Sequence, residues 1–126
     1  MTLRLTTRNR KLHAALGKFH NRKTEIDGIV FASALEARVY QRLRLREYAG
    51  EIDVLRLQVT YQLQPAFTDS TGKKHRSICY VADFVHSEHG QVVVSDAKGK
   101  ETREFRIKRK LLLWKYPELR FEVVTA

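Results

Sequence analysis

Residues 77–99 read SICYVADFVHSEHGQVVVSDAKG. Two apolar runs, Ser77 to Val85 and Gln91 to Ala97, flank a turn at His89-Gly90, so the stretch predicts two strands closing an antiparallel hairpin. Each run carries an acid where an apolar residue is expected: Asp83 within Val81-Ala82-Asp83-Phe84-Val85, and Asp96 within Val94-Ser95-Asp96-Ala97. If Glu88 faces Gln91 across a two- or four-residue loop, counting back along both strands sets Asp83 opposite Asp96 on one face. Directly opposed carboxylates repel, so something must compensate. A divalent cation is the natural candidate, because Mg²⁺ takes carboxylate oxygens and keeps waters and phosphate oxygens as its other ligands. Residues two apart in a strand share a face, so Lys98 projects with Asp96. The bland alternative is a strand-end salt bridge, with Lys98 a solvated edge lysine. Against it, two embedded acids and one lysine leave a net negative charge.

The elements outward of this hairpin complete a fold. Upstream, Leu55, Leu57, Val59, Tyr61 and Leu63 alternate with polar residues, which predicts a strand with one buried face, ended by Pro65. Thr68 to His75 is polar and reads as a loop. Before that strand, Ser33 is a helix N-cap with Glu36 at capping-box spacing, Leu35, Val39 and Leu43 recur at i+4, and Gly50 is the stop. Glu25 to Phe31, with Asp27-Gly28, suits a small hairpin. Downstream, Thr102 caps a second helix whose apolar positions are Phe105, Ile107, Leu111, Leu112 and Trp114. Pro117 stops it, and Arg120 to Val124 is a last strand. Trp114 is expected in the core. The order is helix, three-strand meander, helix, strand. The last strand arrives through a helical crossover and should pair parallel. The expected class is α/β, a mixed sheet flanked by helices.

At this point the residues resemble a known family. Thr24-Glu25-Ile26-Asp27-Gly28, Ser33-x-x-Glu36-Ala37, Tyr80-Val81-Ala82-Asp83-Phe84, Asp96-Ala97-Lys98-Gly99 and Arg106-Ile107-Lys108-Arg109-Lys110 look like the PD-(D/E)XK nuclease superfamily. Within it, they resemble a phage- and prophage-borne domain of unknown function. The resemblance runs from about Asn21 to Val124, and Ala82 stands where the superfamily's name calls for proline. It implies a restriction-endonuclease-like core and a metal-dependent DNA endonuclease using Mg²⁺ or Mn²⁺. Asp83, Asp96 and the Ala97 carbonyl would hold the metal, Lys98 would assist catalysis, and Glu36 would complete the site. The capping box explains Glu36 equally well. Small nucleases of the superfamily include Holliday junction resolvases, which act as dimers. Branched DNA and a homodimer are therefore the implied substrate form and assembly.

Charge points the same way. The 126 residues carry 24 Lys and Arg against 14 Asp and Glu, a net of +10, and such a surplus favours polyanions because phosphate neutralisation releases counterions. Residues 1–23 hold seven of these cations, Arg22 and Lys23 among them, and no acid, so they read as a basic N-terminal arm before a nuclease domain at 24–126. Arg42, Arg46, Arg106, Lys108 and Lys110 lie on the two predicted helices and are the other candidate DNA contacts. A solvated helix face is the alternative for Lys108, and a solvated strand face for Gln58 and Gln62. His75, His86 and His89 lack a cysteine at ligand spacing and do not make a zinc set. Cys79 is the single cysteine, so no internal disulfide is expected. With no secretory signal and no membrane-length apolar run, a cytoplasmic protein is expected, in the bacterial host if phage-encoded. Two other functions remain open: a non-catalytic nucleic-acid-binding protein, and a module docking on an acidic host protein. Neither needs a carboxylate pair beside a lysine.

Overall fold

The computed structural model describes residues 23–125. Arg22 and nearly all of the basic arm lie outside them. The chain enters through β1 (Thr24–Ile26) and β2 (Ile29–Phe31), an antiparallel hairpin. Its turn residues Asp27 and Gly28 have φ of 54° and 77°. Two left-handed residues match the twist of the flanking strands, the usual two-residue hairpin solution. Helix α1 (Ala34–Tyr48) starts where the Ser33 hydroxyl accepts the Glu36 N–H at 3.1 Å. It ends at Gly50, φ +79°, with Glu51 N–H on the Arg46 carbonyl and Gly50 N–H on the Glu47 carbonyl. That pair of bonds satisfies carbonyls the last turn would otherwise leave open.

The remaining elements are β3 (Asp53–Gln64), β4 (Phe67–Thr68), β5 (Lys74–His75), β6 (Ile78–Glu88), β7 (Gln91–Ala97), α2 (Arg103–Lys115) and β8 (Arg120–Val124). A four-stranded sheet has the order β3-β6-β7-β8, antiparallel except for the parallel β7–β8 pair. The chain reaches β8 through α2, as a crossover helix requires. The helices cover opposite faces. Ala37, Val39, Tyr40 and Leu43 of α1 pack with Phe31 and Phe84 on one side; Phe105 and Leu112 of α2 pack with Tyr80, Ala82, Val85 and Val94 on the other. The architecture is a mixed sheet flanked by helices.

Three details depart from the expectations above. First, β3 does not keep one face. Leu55 and Leu57 pack on the α1 side, whereas Val59, Tyr61 and Leu63 pack on the α2 side. The switch falls at Gln58, whose φ is +53°. A left-handed residue rotates the strand about its axis, so residues of one parity exchange faces. β6 switches beside it, since Ala82 lies on the α2 side and Phe84 on the α1 side, with Asp83 between. Second, Trp114 is 78% exposed and Ile107 and Leu111 are exposed too, so the α2 core positions are Phe105 and Leu112. Those two are seven apart and define one narrow stripe; Trp114 falls off it. Third, the polar segment Thr68 to His75 is not an open loop. It holds the turn of the β4–β5 hairpin, with Phe67 facing His75 and Thr68 facing Lys74.

Candidate functional site

The β6–β7 turn is His89-Gly90, with φ of 51° and 78°, and its ladder runs from Glu88↔Gln91 to Phe84↔Ser95. The next step would pair Asp83 with Asp96, and there the ladder stops. The side chains take over from the backbone. Asp96 Oδ1 accepts the Asp83 N–H at 3.2 Å, and Asp83 Oδ2 accepts the Ala97 N–H at 3.0 Å. Each carboxylate thus bonds the opposite strand and leaves its second oxygen for something else. Among the described residues, on Asp83 that oxygen has only the Gln58 side-chain amide, at 3.5 Å. On Asp96 it is buried and receives no hydrogen bond from the described residues; Lys98 Nζ stands 3.3 Å from it as an ion-pair partner without hydrogen-bond geometry. Lys98 is itself held, with its ammonium 4.7 Å from the centre of the Phe105 ring. A cation over an aromatic face is attracted by the ring quadrupole.

Electrostatics follow from this crowding. Asp96 is 1% exposed. Burial, then the Asp96 charge, then the Glu36 charge push the Asp83 carboxyl up to about 8. Glu36, in the first turn of α1, is also raised, chiefly by burial, with the Asp96 charge adding and Lys98 opposing. The Ala32 N–H bonds its carboxylate. The Tyr80 hydroxyl is raised by burial and by the nearby Asp96 carboxylate. Three acids therefore share a confined space with one lysine. Crowding that pushes up Asp83 and Glu36 in this way is what a divalent cation would relieve.

The structure brings Asp83, Asp96 and Lys98 into contact, with Glu36 close enough to feel the last two. The other candidates fall elsewhere. Arg42 and Lys110 are exposed on their helices, and Lys23 is exposed before β1. Arg106 reaches the Glu101 carbonyl at 3.5 Å, and Lys108 pairs with Glu104 at 3.2 Å. Arg46 sits at the far end of the sheet, 3.0 Å from Glu88. Gln58 was given only a solvated face or a phosphate contact by its sequence, because no residue pattern announces a left-handed backbone in an unbroken alternation. Among the described residues, no three His, Cys, Asp or Glu side chains converge closely enough to cage a metal by themselves. The donor set still suits Mg²⁺, which is held by one or two carboxylates and completes its shell with water and phosphate. The open Asp96 oxygen and the weakly held Asp83 oxygen are such a pair.

The family described as a protein of unknown function, DUF1064, matches residues 16–126. The chain belongs to the DUF1064 family. No curated protein matches it. Among solved structures, the crystal structure of protein VC1899 from Vibrio cholerae is similar at 14% identity and a TM-score of 0.48. The match covers 98% of this chain and 36% of that one. A likeness of that degree transfers no function to this DUF1064 chain. No described helix is long and apolar enough to cross a membrane.

Proposed function

We propose that this chain is a metal-dependent DNA endonuclease on a restriction-endonuclease-like core. The observation that carries the reading is the pair of crossed hydrogen bonds between Asp83 and Asp96 where β6 and β7 part. They fix two carboxylates side by side and leave an oxygen of each for another ligand. Asp83, Asp96 and the Ala97 carbonyl would hold Mg²⁺ or Mn²⁺, which supplies charge to the phosphate and an acidified water. The chain's own residues do the rest. Lys98, fixed between Asp96 and the Phe105 ring, places a positive charge beside the scissile phosphate, where it offsets charge that develops in the transition state. Asp83, with its raised pKa, gives up its proton as the site fills. Glu36 adds a third acid, its pKa raised chiefly by burial. The net charge of +10 supplies affinity for the polyanionic substrate. Branched DNA as the preferred form, a homodimer as the acting unit and the host cytoplasm as the location belong to the same reading.

The test is cleavage of linear, single-stranded, flapped and four-way-junction DNA in Mg²⁺, Mn²⁺ or EDTA, with Asp96→Ala alongside. Metal-dependent cutting lost in the variant supports the reading. Binding without cutting, in every metal and on every substrate, would replace it with a non-catalytic binding protein.

A further inference from the structure

The β4–β5 hairpin stands apart from the main sheet as a two-stranded sheet of its own. It is joined to the site by a ribbon. β6 pairs with β7 only from Phe84 to Glu88, but with β3 from Ile78 to Ser87. Residues 78–81 therefore overhang the end of β7, on the side of Asp83 and Asp96, and lead towards the hairpin. Four residues of strand span roughly 13 Å.

The hairpin is built to stay folded while exposed. Asp69 accepts the Thr71 N–H at 2.8 Å, the Thr71 hydroxyl at 2.5 Å and the Lys73 N–H at 3.1 Å, and pairs with His75 Nε2 at 2.8 Å. The Thr71 and His75 contacts hold its carboxyl well below the usual range. Asp69 is the one acid between Val54 and Ala82, and these bonds occupy it. Lys73, Lys74 and Arg76 are exposed, and none of them joins an ion pair among the described residues. Within the same hairpin the Phe67 ring stacks on His75, centroids 4.7 Å apart, yet Phe67 stays 45% exposed. A cross-strand aromatic pair steadies a hairpin. It does not explain a ring left half exposed on a segment that also carries Lys73, Lys74 and Arg76, a composition suited to stacking a base and tracking phosphates.

We propose that this hairpin is the element that engages unpaired DNA beside the cleavage site. Phe67 stacks on an unstacked base, and Lys73, Lys74 and Arg76 hold the adjoining phosphates. This deepens the nuclease reading and rests on it: the site would act on duplex next to a branch, gap or single-stranded end.

Fluorescence anisotropy in EDTA, where no cutting occurs, tests it. The probes are a labelled single strand, a three-way junction and a linear duplex of the same sequence. Phe67→Leu keeps the apolar volume and removes the ring. It should weaken single-strand and junction binding at least about five-fold and leave the linear duplex unchanged. Replacing Lys73, Lys74 and Arg76 by Ala should flatten the log–log salt slope on the single strand by about two. An unchanged melting midpoint in both variants separates these effects from unfolding. If both variants bind all probes as the wild type does, the hairpin assignment is overturned, and wild-type cutting would leave the nuclease reading standing. If the wild type binds single strands through Phe67 but cuts nothing in any metal, the hairpin stands and the nuclease reading falls. If the wild type binds no DNA, both fall.

Discussion

The two ends of the β6–β7 pair solve opposite problems with the same kind of residue. At the turn end, Glu88 is met by Arg46 at 3.0 Å, Arg120 at 2.6 Å and His86 at 3.4 Å. Partial burial works against the charge there, but His86, Arg120 and Arg46 outweigh it and keep the Glu88 carboxyl below its usual range. At the open end, Asp83, Asp96 and Glu36 share one lysine, and both Asp83 and Glu36 are pushed up. One end meets its acid with two arginines, which also reach Glu51 and Glu122; the other leaves three acids to a single described lysine. Folding alone favours the first arrangement, since an under-compensated buried acid costs stability. Such an arrangement within a well-packed sheet is the reason we propose the open end as the working one.

The largest expected difference is in catalysis. Lys98→Met should lower the cleavage rate by about 10²–10³ while leaving the fold intact, because it removes the one fixed positive charge beside the two carboxylates. Glu88→Gln should do the reverse. It leaves Arg46 and Arg120 without their shared partner, so the melting midpoint falls by several degrees while the rate per folded molecule stays. A Glu88→Gln variant that loses cutting but not stability would erase the distinction between the ends.

The pH response sharpens the comparison next. Asp83 has a folded-state pKa above its unfolded value, so its contribution to stability is fully present below the unfolded pKa and is lost as pH rises through about 8. Glu88 is depressed, so its contribution is present above the unfolded pKa and is lost as pH falls through the folded one. Asp83→Asn, melted without divalent cation at pH 8, should therefore be more stable than the wild type, by roughly 5 °C, and the gain should vanish near pH 4. The smallest effect belongs to Gln58. Gln58→Gly relieves the left-handed backbone by roughly 1 kcal/mol but removes the amide from Asp83. We expect a small rise in melting midpoint with a few-fold loss of rate, read from the two assays above.

What the sequence made legible was local. The opposition of Asp83 and Asp96 followed from a two-residue turn and strict alternation, and the ladder has the register this requires. The Ser33 cap, the Gly50 stop and the parallel arrival of β8 followed from short-range chemistry. What stayed hidden was long-range or carried by the backbone. Arg46 and Arg120 reach Glu88 from 42 and 32 residues away. Leu55 to Leu63 alternates without a break, so nothing in it signals that Gln58 turns the strand over. Trp114 looked like core because an apolar residue near a helix end has no local mark of which side faces out. The hairpin after Pro65 pairs only two residues a side, is braced by the Asp69 side chain and the Phe67–His75 stack, and has no hydrophobic period to betray it.

The claim that the under-compensated end is a cation site is tested most directly by titrating Mn²⁺ into the metal-free protein and following free Mn²⁺ by electron paramagnetic resonance, which reads binding into the millimolar range. About one Mn²⁺ per chain is expected in the wild type and in Glu88→Gln, and none in Asp96→Asn. Equal binding by Asp96→Asn, or no binding by the wild type, would contradict it.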